Sequence, residues 1–559
     1  MQGNELLSAE VLIAGGGPVG FGLAIDLALR GVSVLIIERH QTIQRIPKGQ
    51  NLTQRTGEHF RRWGVTEGIR QATPIPREFG NAGMTAYGSL LSGYHHDWFN
   101  RASVAPYYAT TNERLPQYET EKVLRQRAAE LPNIKVMTGW TFVAQQSNDE
   151  TVSIEIEQTQ GSERQTLTGR YLVGTDGANS AVRRAAGITQ TTTEGHRQRM
   201  ALLVFHSTEL DQLLEPFKGK TIYNALGKEM QGYWQFLGRV DLNGNWFFHA
   251  PVPDDTSVEQ FDFKGLVYRA VGAEFPIEFE YTGLWDLRLT VADTYHQERL
   301  FIAGDAAHSH PPYGGYGVNT GFEDARNLSW KLAAALQGWA GPNLLSSYTD
   351  ERKPVFESTR DDFILRMINE DANAVNNYDP DTDLDAFLAY WQERSSGEDV
   401  DVTQYLPQIS GSPLVVNAPH GQTSARGVHT HKAQPGYHLS PRTLADGTPI
   451  YDRIGGAIQG DCFSLIAIAQ PAELVSEFKR QAAKLGMPLV VIESELGGTA
   501  MDWEAKLILV RPDEYIAYVA EGLNETAPSS QEKSSQEDSS QIENILKTAL
   551  GYSAYRSTA

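Results

Sequence analysis

Two carboxylates and two glycine-rich loops, far apart in the chain, have the types and spacing needed to hold hydroxyl and phosphate groups. Asp305 ends the apolar run Leu300 to Ala303 in Arg299-Leu-Phe-Ile-Ala-Gly304-Asp305-Ala-Ala-His308. A carboxylate delivered by such a strand sits where ligands bind in open α/β sheets. Being acceptor-only, it takes hydrogen bonds from ribityl or sugar hydroxyls. The following Pro311-Pro312-Tyr-Gly314-Gly315-Tyr-Gly317-Val318-Asn319 lets backbone N–H groups approach a flat ligand. A helix comes next, with Ala325, Leu328, Leu332, Ala335 and Leu336 at helical spacing, and its start adds a positive dipole end. Alone, the segment also reads as an ordinary strand–loop–helix crossover with a surface aspartate.

The N-terminal elements weigh against that plainer reading. Val11-Leu-Ile-Ala is an apolar strand, Gly15-Gly-Gly17-Pro-Val-Gly20 satisfies G-x-G-x-x-G, and Phe21 to Arg30 reads as a helix stopped by Gly31. A second strand, Val32 to Ile37, ends in Glu38. Glycines for the turn, a helix start for pyrophosphate and a carboxylate for ribose make a complete dinucleotide-binding unit. The motif does not separate FAD from NAD(P).

A third element, Arg170-Tyr-Leu-Val-Gly174-Thr-Asp176-Gly177-Ala-Asn-Ser180-Ala-Val-Arg183, is another strand ending in Asp-Gly with a basic helix behind it. Together the three motifs resemble the single-component FAD-dependent aromatic monooxygenases of the p-hydroxybenzoate hydroxylase fold, and within them the phenol hydroxylase branch. The resemblance implies an α/β chain with a discontinuous Rossmann-like FAD-binding domain, an inserted β-sheet substrate domain and a thioredoxin-like C-terminal domain. It implies Gly15, Gly17, Gly20, Glu38 and Arg39 on the ADP half, and Gln117 and Arg125 near pyrophosphate and ribityl. Asp305 would hold the ribityl chain, while Pro312, Gly317, Val318 and Asn319 would border the isoalloxazine. Asp176 and Arg183 belong to a motif tied in this family to both FAD and NAD(P)H. The implied activity is NAD(P)H- and O₂-dependent hydroxylation of a phenolic or related aromatic substrate through a flavin C4a-hydroperoxide. Baeyer–Villiger or epoxidising chemistry on the same scaffold and a non-catalytic flavin-binding protein remain open; a Trp-x-Trp-x-Ile-Pro halogenase signature is absent.

Three positions depart from the family pattern. Lys48 stands where an arginine is usual, keeping the charge without the bidentate fork. Gln50 replaces an acidic residue proposed in some relatives to take the phenolic proton, and Tyr316 replaces a glutamine. Both Lys48 and Gln50 are still expected at the cofactor. For the substrate pocket, alternation in Tyr233-Trp-Gln235-Phe-Leu237 puts Tyr233, Gln235 and Leu237 on one strand face. His206 and His249 end apolar runs and are candidate proton acceptors. A plain sheet face and hydrogen-bonded strand-end histidines explain these residues equally well. His308 is read as positioning the loop.

Composition sets further bounds. Net charge is −21, which disfavours nucleic acid or an anionic membrane surface as partner. One cysteine, Cys462, excludes an intrachain disulfide, a redox pair and a cysteine-built zinc site, and predicts a reducing, cytoplasmic setting. His95-His96 and His429-Thr-His431 lack a third ligand at sensible spacing, so no metal is expected. No apolar run is long enough to span a membrane. The motifs place the FAD-binding domain at 1–85, 110–190 and 285–360, and the substrate sheet at 86–109 and 191–284. A helical linker is expected at 361–425, the thioredoxin-like domain at 426–525 and a flexible tail at 526–559. Lacking a cysteine pair, the C-terminal domain is expected to serve packing or a homodimer contact.

Overall fold

The computed structural model describes residues 8–79, 82–230, 232–396, 400–418, 421–455, 462–520 and 531–552. Its central layer is a six-stranded sheet in the order His296–Gln297, Leu300–Ile302, Tyr171–Gly174, Val11–Ala14, Val34–Glu38, Ile134–Thr138. All neighbours pair in parallel except the edge strand His296–Gln297. Strands buried on both faces read as unbroken apolar runs, as Val11-Leu-Ile-Ala does. Because the strands are parallel, Gly15, Glu38, Asp176 and Asp305 emerge together beyond their carboxyl ends. Sequence-remote motifs thus become one site.

The helix Tyr316–Gln337 packs beside the helix Pro18–Leu29 and is buried around most of its circumference rather than along one stripe. Its interior charges are all paired: Glu323 with Arg55, Asp324 with Arg352, Arg326 with Asp26 and Glu514, Lys331 with Glu351. The apolar spacing in the sequence marks a helix but does not show that its polar face meets opposite charge.

A seven-stranded sheet runs Glu278–Leu287, Gln198–His206, Asn245–Pro251, Gln235–Arg239, Lys220–Leu226, Ala82–Tyr87, His95–Trp98. It therefore takes in Ala82–Tyr87, which straddles the expected boundary at 86. One face packs Leu203, Phe205, Leu237 and Phe248 against Val267 of the helix Phe263–Val271. The other face lines a cleft over the parallel sheet. The turn Asp241-Leu-Asn-Gly244 closes with Gly244 at φ 83° and Asp241 accepting from the N–H groups of Asn243 and Asn245.

The C-terminal module is a mixed sheet, Leu489–Ser494, Phe463–Ile468, Leu507–Val510, Ile516–Ala520, with the helix Ala472–Lys484. Within the expected flexible tail 526–559 the structure has the helix Gln531–Ala549, while 526–530 and 553–559 lie outside the described residues. Ile542, Ile545, Leu546 and Ala549 recur at helical spacing and bury against this module. The polar Ser529 to Gln541 tract masks that stripe in the sequence. Among the described residues no helix is long and apolar enough to cross a membrane.

Candidate active site

One cleft of about 1120 Å³ runs from the carboxyl edge of the parallel sheet to the open face of the seven-stranded sheet. Gly15, Gly17, Glu38, Arg39, Arg125 and Asp176 line one end. Gly15 has φ 113°, and a Cβ there would lie 2.3 Å from the Thr175 carbonyl oxygen. Gly17 would meet nothing within 4 Å, leaving backbone open to a ligand. Gly20 does not line the cleft: its Cβ would fall 2.1 Å from the Gly15 oxygen, so it serves close helix–strand packing instead. Glu38 is fixed at its strand end by the N–H groups of Gly16 (2.6 Å) and His40 (2.7 Å). Arg125 donates to the Gly16 carbonyl at 3.2 Å and lies over the Phe21 ring. Asp176 is occupied in capping the helix Ala181–Ala185, accepting from Ala181 N–H at 2.7 Å. Arg183 donates to the Ala306 carbonyl at 2.8 Å and ties that helix to the Asp305 loop.

Farther along, Lys48, Gln50 and Gln117 face Asp305, Pro312, Gly317 and Val318. The Asp305 side chain opens into the cleft with protein around it on the other sides. Burial there raises its pKa, opposed by His308 and Lys48. Gln50 is buried, and neither its amide nitrogen nor its oxygen has a protein partner. Gln117 accepts from Gly49 N–H at 3.4 Å. Gly314 and Gly315 adopt φ 70° and 64°, left-handed geometry that suits glycine. His308 is held by Asp324 at 2.7 Å and stacks on Phe356, a loop-positioning arrangement. Asn319, expected to border the ring, does not line the cleft. Its side chain is buried behind the loop, accepting from Thr53 N–H (2.9 Å) and Thr56 Oγ1 (2.7 Å) and donating to the Asn51 and Gly315 carbonyls. Tyr316 also turns away, donating to the Asp401 carbonyl.

These residues fit FAD. Open glycine backbone and a fixed carboxylate suit pyrophosphate and ribose, Asp305 suits a polyol, and the unpartnered Gln50 amide suits a ring edge bearing both donors and acceptors.

The substrate wall differs from expectation in which strand face lines it. The strand begins at Gln235, and Phe236, paired with His249, faces the cleft. Gln235 and Leu237 point to the other side, and Tyr233 precedes the strand, bonded through its hydroxyl to His196. Neither Tyr233 nor Gln235 lines the cleft. His206 is likewise outside it, at a strand end bonded to Asn245. His249 does line it, beside Phe247 and Trp285, with its ring edge-on to Trp285 at 6.0 Å. It is 6% exposed, its Nδ1 has no protein partner, and burial lowers its pKa to about 4. Alternation counted outward from His249 reaches Phe247, a signal present in the sequence. Arg114 also lines the wall and carries no motif that would have singled it out.

A family profile described as FAD binding domain matches residues 8–362. The chain is 29% identical to a 4-methyl-5-nitrocatechol 5-monooxygenase of Burkholderia sp, over 93% of this chain and 95% of that protein. It is 28% identical to the FAD-dependent monooxygenase apdD of Emericella nidulans, over 93% and 88%. The flavin-dependent monooxygenase PieE, solved in complex with FAD and substrate, shares the fold at TM-score 0.81 and 22% identity, covering 98% of this chain and all of that one. The chain belongs to the FAD-binding-domain family and has the flavin monooxygenase fold of the p-hydroxybenzoate hydroxylase type.

Proposed function

We propose that the protein is an NAD(P)H- and FAD-dependent monooxygenase that hydroxylates a phenolic or related aromatic ring. One observation carries this reading: the glycine loops and the His249 wall line a single continuous cleft, so a flavin held by the first would meet a ring held by the second. The relatives' names, a nitrocatechol monooxygenase among them, support the substrate class.

Bound FAD, reduced by NAD(P)H, supplies the activation of O₂. The chain's residues do the rest. Asp305 and Glu38 would hold the polyol and ribose of that cofactor. The positive end of the helix that starts at Tyr316 lies at the loop of Gly314 and Gly315 and would stabilise negative charge on a bound flavin ring. Phe236, Phe247 and Trp285 form an apolar wall that orients an aromatic substrate and keeps water away. His249 Nδ1, neutral at pH 7 and free of protein partners, would accept a hydrogen bond from the phenolic hydroxyl and so orient the ring. The C-terminal module, which we read as thioredoxin-like, acts through packing, since Cys462 is the chain's one cysteine. That cysteine usage also supports a reducing, cytoplasmic setting.

A panel of phenols and fused-ring phenols, screened for accelerated NAD(P)H oxidation with products read by mass spectrometry, tests the reading. A product carrying one added oxygen on an intact ring is expected. Oxidation that no phenol accelerates, or a ring-expanded lactone product, would overturn it.

A further inference from the structure

We propose that Arg114 anchors an anionic oxygen group, carboxylate or acidic phenolate, on the aromatic substrate. The proposal rests on the reading above in taking the ligand of this wall to be that substrate.

Arg114 lies in the two-residue strand Glu113–Arg114, paired with Asn51–Leu52. It is 2% exposed, yet it lines the cleft on the side of the seven-stranded sheet, with Ile222 and Phe247. Its guanidinium uses Nη2 to reach the carbonyls of Thr221 (3.2 Å) and Arg239 (3.5 Å), and Nε has no protein partner. A guanidinium carries five N–H donors, so most of its capacity is unspent. The neighbouring charges are already matched: Arg239 pairs with Asp211, and Glu113 pairs with Arg77. Among the described residues no carboxylate pairs with Arg114. Burial accordingly lowers its pKa to about 9.

A cation taken out of water without a counter-charge is costly, and that cost is offset when a ligand brings the opposite charge. The wall is also cut to admit the guanidinium. A Cβ on Gly238 would fall 3.0 Å from Arg114 Nη2 and 2.2 Å from the Phe247 ring. Gly238 pairs with Phe247, and Phe236, two residues earlier, pairs with His249. That two-residue step is about 7 Å along the strand. An anionic group at Arg114 and a ring hydroxyl at His249 are therefore separated by roughly one ring's breadth. A guanidinium without a counter-charge at one end and a neutral imidazole at the other distinguish an acidic hydroxyarene from a neutral one.

The test is binding to the FAD-loaded protein at pH 7.5, measured by flavin absorbance change and calorimetry without NAD(P)H. The probes are two charge-paired sets: 2-naphthoate against 2-naphthamide, and 4-nitrophenolate against 4-nitroanisole. At least one anion should bind about tenfold or more tightly than its neutral partner. Arg114→Met should remove that preference while leaving the neutral partner's affinity within about threefold, and Arg114→Lys should restore part of it. Neutral probes binding as tightly as anions in the wild type, or no anion binding at all, would overturn the proposal, and both readings need no variant to fold. Loss of FAD from Arg114→Met would assign the guanidinium to the cofactor and overturn it as well. Phenol-accelerated NAD(P)H oxidation without anion preference would sink Arg114's role alone. Anion preference without oxygenated product would sink the monooxygenase reading alone.

Discussion

Arg511 and Glu351 meet as a two-pronged ion pair, with Nη1 and Nη2 lying 2.6 and 2.8 Å from the two carboxylate oxygens and both side chains fully buried. Glu351 sits on the helix Ser347–Ser358 beside the cofactor domain, while Arg511 follows the strand Leu507–Val510 of the C-terminal sheet. Lys331 shares the same carboxylate at 2.7 Å, and Asp513 takes Arg511 from the other side. These partners hold the Glu351 carboxyl far below the usual range against the opposing effect of burial. The module that lacks redox cysteines is thus clamped to the domain that holds FAD.

Arg511→Met should therefore destabilise the protein by about 3–5 kcal/mol, because it strands buried charge rather than exposing it. Urea unfolding followed by fluorescence reads this directly. A loss below about 1 kcal/mol would show that the remaining lysine suffices.

Asp305→Ala should yield protein with little FAD. The carboxylate opens into the cleft, and none of the described hydrogen bonds uses it, so its acceptors are available to polyol hydroxyls. Losing a charged acceptor costs about 1.5–3 kcal/mol, or roughly ten- to more than a hundredfold in affinity. Reconstituting apoprotein with FAD and following flavin fluorescence measures the change. Unaltered affinity would remove Asp305 from the cofactor site.

The sequence made the cofactor end legible and the substrate end much less so, for a physical reason. Glycine geometry and strand-end carboxylates are local demands, so Gly15, Glu38 and Asp305 can be recognised one motif at a time. Alternation sorts a strand's side chains into two faces, but which face meets the cleft depends on what the sheet packs against. Alternation groups Gln235 with Leu237 correctly, but Leu237 packs into the core beneath the sheet and it is Phe236, on the opposite face, that meets the cleft. Asn319 stood in the right motif, but its four hydrogen bonds to the 51–56 segment and Gly315 appear only once that segment folds against it. Arg114 is informative because, among the described residues, no carboxylate pairs with it, and sequence alone does not show an absence of that kind.

His249 should give stability a pH dependence of definite sign. Burial lowers its pKa from an ordinary 6.5 to about 4, so the unfolded chain binds the extra proton first as pH falls. Stability is then complete above about pH 6.5 and is lost as pH drops toward 4. The shift corresponds to an effect on the order of 3 kcal/mol. His310 is lowered to about 4 by burial as well, so the informative quantity is the difference between proteins. Wild type and His249→Gln, melted at pH 5 to 7.5, should differ in slope, with the variant flatter. Parallel slopes would mean that His249 is hydrated in solution and is not the dry, neutral imidazole proposed to orient the phenol.

The aromatic substrate should act as an effector of flavin reduction as well as a reactant. The sequence carries one G-x-G-x-x-G fingerprint, at residues 15–20, so the NAD(P)H of the proposed reaction would reach the flavin transiently. Reduction needs an accessible ring, whereas oxygenation needs one walled in by Phe236, Phe247 and Trp285. A single rigid ring position serves both poorly. The loop that would border the ring contains Gly314 and Gly315 at φ 70° and 64°, and a Cβ on Gly317 would meet nothing closer than His310 at 3.7 Å. Such a loop leaves room for a ring to shift without steric conflict. A substrate that binds the reducible arrangement better raises its population by its differential affinity, and 1.4 kcal/mol of preference gives about a tenfold faster reduction while that state is scarce. Anaerobic stopped-flow reduction by NADPH and by NADH, with and without the best phenol from the panel, should show at least that acceleration. Equal rates in both would end the gating idea and point to a flavin reduced in place, with substrate selection left entirely to the oxygenation step.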